Sequence, residues 1–100
     1  MENEFLGHVG GADIHDGRII NVEHQGEKAI VTIKTVSEQI KIIQLDGVKT
    51  VKSNKPIGML LYSMAEMKHP DNRLFVFTNW EEEDEAFLEI TAESFRVNYA

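Results

Sequence analysis

The chain has 100 residues, 42% hydrophobic and 27% charged, with no cysteine and a formal charge of −7 from 10 basic and 17 acidic side chains. That length and apolar fraction suit one domain over residues 1–100 and argue against wholesale disorder, and the lack of thiols excludes disulfides, thiolate metal sites and cysteine nucleophiles. Glu81, Glu82, Glu83, Asp84 and Glu85 supply −5 of the charge and leave −2 for the rest, a sign that speaks against nucleic acid or an anionic membrane surface as partner.

The opening Met1-Glu2-Asn3-Glu4 lacks the basic segment and apolar run of a secretory leader. No window reaches the roughly 18 apolar residues of a membrane helix, so a cytoplasmic protein is expected. Gly7, Gly10 and Gly11 lie among Phe5, Leu6 and Val9. Such a density of glycine predicts an irregular N-terminal arm over residues 1–13, either tucked against the domain or loosely attached.

A meander is expected from Gly17 to Ser53. Its first strand is Arg18 to His24, with Ile20 and Val22 on one face, and Gln25-Gly26-Glu27 is the turn. In the second, Lys28 to Thr35, Ala29, Val31 and Ile33 alternate with polar residues, which predicts one buried and one wet face. In the third, Glu38 to Leu45, Ile40 and Ile42 are in step but Ile43 and Leu45 are in the opposite phase. One register does not bury all four, so a bulge or bend is expected near Ile42. Asp46-Gly47 turns the chain into a short fourth strand, Val48 to Lys52.

Beyond Pro56 the spacing of Ile57, Leu60, Leu61, Met64 and Met67 predicts a helix packed on the sheet, with a strand over Met59 to Ser63 as the rival. The methionines there are read as packing. Leu74 to Phe77 are apolar at every position, the pattern of a strand covered on both faces and therefore central. After the acidic run, Phe87 to Ala92 alternates as a further strand, and Phe95 to Tyr99 is either its bulged continuation or a separate edge strand. The fold class expected is α+β, mostly β: an antiparallel, six-stranded, meander-like sheet or partly closed barrel with one helix packed on it.

No phosphate-binding loop, dinucleotide fingerprint or nucleophile elbow occurs, and no catalytic residue or cofactor is expected. His15-Asp16 is similar to the ligand pair of metal-dependent phosphohydrolases, which an all-α scaffold presents. A metal, small-molecule or hydrolase site built from His8, Asp13, His15 and Asp16 is therefore kept as the alternative, although the spacing follows no ligand rule. The leading candidate is Trp80 with Glu81, Glu82, Glu83, Asp84 and Glu85. Carboxylates speed encounter with a basic protein partner and an exposed indole anchors it, whereas the plain reading is a solvated run that guards a greasy strand against aggregation. A homodimer paired through an exposed edge strand is a further possibility.

Ile14-His15-Asp16-Gly17-Arg18-Ile19, the meander, and Phe75-Val76-Phe77-Thr78-Asn79-Trp80 with its acidic successor resemble families of small, uncharacterised β-rich bacterial proteins. Some of these resemble toxin-immunity proteins. The resemblance implies a cytoplasmic bacterial protein that works by binding, and it carries no catalytic residues across.

Overall fold

The computed structural model describes residues 4–81 and 83–100. The chain runs β1 (Glu4–Val9), a 3-10 turn (Ala12–Ile14), β2 (Arg18–Gln25), β3 (Lys28–Lys34), β4 (Ile40–Asp46), β5 (Thr50–Asn54), β6 (Leu61–Lys68), β7 (Arg73–Asn79), β8 (Phe87–Ala92) and β9 (Ser94–Tyr99). Two antiparallel sheets, ordered β1-β6-β7-β8-β5 and β2-β3-β4-β9, enclose one apolar core to which both contribute. No helix among the described residues is long and apolar enough to cross a membrane.

Among the described residues the α+β expectation is therefore corrected to an all-β sandwich with nine strands in place of six, in which the sheets do not close into a barrel. The packed helix is absent: residues 61–68 form β6, between β1 and β7. The reason lies in a bulge. Leu61 pairs with Asn79 and Ser63 with Thr78, which leaves Tyr62 as an extra residue. That insertion flips the alternation, so Leu61 and Met64, three apart, both reach the core with no exposed surface, which imitates helical spacing.

The N-terminal arm is corrected over its described part as well, since Glu4–Val9 is an edge strand paired with β6, while residues 1–3 of the expected arm lie outside the described residues. Its glycines matter after the strand ends. Gly10 and Gly11, at φ 83° and 103°, turn the chain into the 3-10 turn, and a β-carbon on Gly11 would stand 2.6 Å from the Lys41 Nζ.

The bulge expected near Ile42 does not form either, because β3 and β4 pair without a break from Lys28–Asp46 to Lys34–Ile40. The residue in phase with buried Ile43 and Leu45 is Lys41, itself only 1% exposed. Ile40 and Ile42 take the other, half-covered face. Buried ammonium groups need a partner, and Lys41 Nζ donates to Asp13 Oδ1 at 2.5 Å and to Tyr99 Oη at 3.2 Å.

β7 occupies the middle of the five-stranded sheet. Phe75 and Phe77 point into the sandwich, and Leu74 is nearly covered on the outer face. The chain then changes sheets at Glu93, so Ser94–Tyr99 is a separate strand at the edge of the second sheet, paired with β4. At the rim Arg73 holds Glu66 with two hydrogen bonds, 2.8 and 3.0 Å, and lies over the rings of Phe75 and Phe95.

Candidate functional site

The residues that lead into β2 are stitched to the first residue of β6 across the two sheets, and this junction builds the site. Asp16 N–H donates to the Leu61 carbonyl at 2.9 Å, and Leu61 N–H donates to the Gly17 carbonyl at 2.7 Å. Gly17 is required by closeness, since a β-carbon there would lie 2.9 Å from Ile33 Cγ2 and 3.0 Å from the Ile14 carbonyl. The same junction takes the end of β7, because Trp80 N–H donates to the Leu60 carbonyl at 2.9 Å. Residues remote in sequence, His15, Tyr62 and Trp80, are thereby brought side by side.

Their rings form one array. Tyr62 and Trp80 are stacked, 5.3 Å between centroids and 10° between planes. His15 meets both edge-on, at 5.4 and 5.3 Å. His8 from β1 meets Tyr62 at 6.2 Å, and Phe5 meets His8 at 5.1 Å. Edge-on and offset stacks are the preferred aromatic geometries and fix each ring's orientation. The array nonetheless faces water: Trp80 is 48% exposed and Tyr62 45%. The Tyr62 bulge is the device that aims its phenol at the indole, a frequent use of bulges beside functional sites.

Next to the array lies an open cavity of about 380 Å³ whose lining includes His8, His15 and Tyr62 together with Gly11, Ala12 and Ser63. His15 Nδ1 donates to the Tyr62 carbonyl at 3.1 Å. A carbonyl only accepts, so Nδ1 carries the proton of this bond and Nε2 is the ring nitrogen left outside it. That atom stands 3.7 Å from Asp16 Oδ2.

On the far side of Trp80 the acidic run makes a turn organised by Asn79. The Asn79 amide donates to Asp84 Oδ2 at 3.0 Å and to the Ala86 carbonyl at 3.2 Å, and its Oδ1 accepts from Glu81 N–H at 2.8 Å. The bond from Asn79, with those from the Ala86 and Glu85 backbone N–H groups, holds the Asp84 carboxyl below the usual carboxylate range. Among the described residues none of Glu81, Glu83, Asp84 and Glu85 enters an ion pair, and all four are exposed. Glu82 lies outside the described residues. A groove of about 530 Å³ separates this turn from residues 54–59, where Ile57 is 60% exposed.

Sequence reasoning named two sites, and the fold makes them neighbours, since His15 touches Trp80. His8 and His15 share the cavity, whereas Asp13 is committed to Lys41 and Tyr99. No three His, Asp or Glu side chains among the described residues are grouped as a metal ion would require. Missed altogether was the Asp13-Lys41-Tyr99 cluster. Its one signal was Lys41 in phase with Ile43 and Leu45. For Tyr62 nothing short of the bulge pairs it with Trp80.

Comparison of the chain with protein-family models, with curated proteins and with solved structures finds no match.

Proposed function

We propose that the chain is a non-enzymatic protein-interaction domain that meets a basic protein surface through Trp80, Tyr62 and the acidic turn. The observation that carries this reading is a half-exposed indole, stacked on Tyr62, that opens a turn whose described carboxylates have no internal cation. Buried aromatic anchors with a polar rim are where interface energy concentrates, and unpaired charge speeds encounter with a partner of opposite sign. The resemblance carried by Ile14–Ile19 and Phe75–Trp80 supports an immunity-like inhibitor as the kind of binder and leaves the partner unnamed; the acidic turn is what makes a basic surface the kind of partner.

The test is affinity capture from a bacterial lysate at low salt with four baits: wild type, Trp80→Ala, a quadruple variant with Gln or Asn at 81, 83, 84 and 85, and the control Glu23→Gln/Glu27→Gln. One protein retained by wild type and control is expected to be weakened by about tenfold or more on Trp80→Ala. It is also expected to be lost in the quadruple variant and released by salt, because the Debye length shrinks to about 3 Å at 1 M. Capture that ignores both variants, or no capture at all, overturns the reading.

One observation favours a second reading, a small-molecule-binding protein with its site near His15 and Asp16: the cavity beside Tyr62. A ligand seated there at 100 times its Kd stabilises the fold by about 2.7 kcal/mol, readable in a thermal-shift screen. Screens without any shift remove this reading.

A further inference from the structure

Each of the two sheets ends in two edge strands, and three of these four edges are blunted. β1 is bulged at Leu6 and β2 at Ile20. The start of β2 is also covered, because Gly58 N–H donates to the Ile19 carbonyl at 2.7 Å and Ile19 N–H to the Met59 carbonyl at 3.1 Å. β5 is only five residues long and carries Lys52. Bulges, short length and edge lysines are the devices by which sheets avoid pairing with another chain. β9 has none of them: its six residues pair with β4 in unbroken register from Ser94–Asp46 to Tyr99–Lys41. Its one charged residue, Arg96, is drawn back to Asp46 Oδ2 on β4 at 3.7 Å.

The ladder fixes which backbone groups of β9 are open. Ala100 N–H donates to the Ile40 carbonyl at 2.9 Å, and an antiparallel ladder bonds every second residue, so Asn98 and Arg96 also turn toward β4. Phe95, Val97 and Tyr99 present their N–H and C=O groups at the free edge, and among the described residues nothing bonds to them. Their side chains share the core phase with Ile43 and Leu45 of β4, which have no exposed surface, yet Phe95 and Val97 stay partly open and Tyr99 is exposed.

We infer that this edge pairs with itself, β9 against β9 of a second copy about a two-fold axis, which joins the two four-stranded sheets into one. The order of residues along the strand names the occupant. With the axis at Val97, Phe95 lies opposite Tyr99 of the second copy and Val97 opposite its counterpart, and each of the three facing pairs exchanges two hydrogen bonds. Every open backbone group of β9 is then used. On the inner face each Phe95 gains an aromatic cross-strand neighbour, and on the outer face each Arg96 lies opposite an asparagine, Asn98. Moving the axis to Arg96 loses one bonded pair and sets like charges opposite each other. β9 contains no carboxylate, and most of the chain's charge of −7 sits in the acidic turn, so repulsion is weak at this edge. Trp80 and the acidic turn take no part in the pairing.

The test is sedimentation velocity of the full chain, read together with NMR hydrogen exchange over the same range of concentration. Wild type is expected to pass from one chain mass to two as concentration rises. The N–H groups of Phe95, Val97 and Tyr99 are expected to slow in exchange in step with it, while those of Arg96 and Asn98, held by β4, are protected throughout. Asn98 is exposed, so substitutions there leave the core untouched. Asn98→Arg sets like charges opposite each other twice and is expected to weaken dimerisation by about tenfold, whereas Asn98→Asp sets opposite charges there and is expected to tighten it by about threefold.

A monomer at every concentration overturns the inference. A dimer that slows exchange at β1, β2 or β5 in place of β9, or that responds alike to the two Asn98 substitutions, overturns it as well. An edge that takes an extended segment of another protein in place of a second copy gives the first of these outcomes, since the pure chain then stays monomeric.

Discussion

Phe75→Ala is expected to be close to the limit the fold tolerates, with a loss of about 4 kcal/mol from a total that for such domains is about 5–15 kcal/mol. Phe75 is fully buried in the central strand, meets Phe95 of the opposing sheet edge-on at 5.2 Å, and carries the Arg73 guanidinium 5.1 Å above its ring. Truncation removes the ring's transfer energy and leaves a cavity where the two sheets meet. It also takes away the surface on which Arg73 rests while holding Glu66. Val76 is the internal control, since it lies on the outer face of the same strand and is only partly buried. Val76→Ala is expected to cost about 1 kcal/mol. Urea unfolding reads both through the shift of the midpoint at constant slope. Equal costs at the two positions would mean that the inner face of β7 is not the core.

That strand was also the most legible part of the sequence. Unbroken apolar character from Leu74 to Phe77 has one physical cause in a sheet protein, cover on both faces, and β7 stands in the middle of its sheet. The alternating residues of β3 were equally plain, because period two over Ala29, Val31 and Ile33 has no helical counterpart. What misled was each place where a strand departs from period two. At Tyr62 the bulge put Leu61 and Met64 on one face three residues apart, the spacing a helix uses. In β4 the core phase included a lysine, so the isoleucines looked out of step although the pairing is regular. For β1, glycines that serve the turn at Gly10 and Gly11 imitate a break in the strand before them.

The site was half legible for the same reason. Trp80 and the acidic run announce themselves by composition, and His15-Asp16 by adjacency. That they meet follows from backbone bonds joining residues 16 and 17 to Leu61, and Leu60 to Trp80, between segments more than 40 and about 20 positions apart. Local pattern holds no record of such pairings. They arise from which sheet edge each strand joins, and the whole chain decides that.

Asp13→Ala is the second large effect, at about 3 kcal/mol, the lower end for breaking a buried pair by removing one partner, because the Asp13 side chain keeps 34% of its exposure. The variant strands the Lys41 ammonium at 2% exposure with Tyr99 Oη as its remaining partner. If that stranded charge is the cause, removing the charge as well should repair the damage. Asp13→Ala/Lys41→Met is therefore expected to recover to within about 1 kcal/mol of wild type, since apolar replacement of a buried ion pair is often neutral. The acid limb supplies an independent reading of the same cluster. Burial pushes the Asp13 carboxyl up, but hydrogen bonds from Lys41 and Tyr99 and the Lys41 charge outweigh it and hold the group below its usual value. Glu66 is likewise held down by the hydrogen bonds of Arg73, against a smaller opposing effect of burial. A carboxyl depressed by folding stabilises fully above its unfolded value, about 3.9 for Asp, and loses that contribution as pH falls through the folded value. Wild type should thus lose stability below about pH 4, and Asp13→Ala/Lys41→Met should lose less over the same interval, leaving the Glu66 and Asp84 components. Urea midpoints measured across that interval decide the matter: parallel acid limbs in the two proteins would show that Asp13 draws nothing from Lys41, whatever the distance between them.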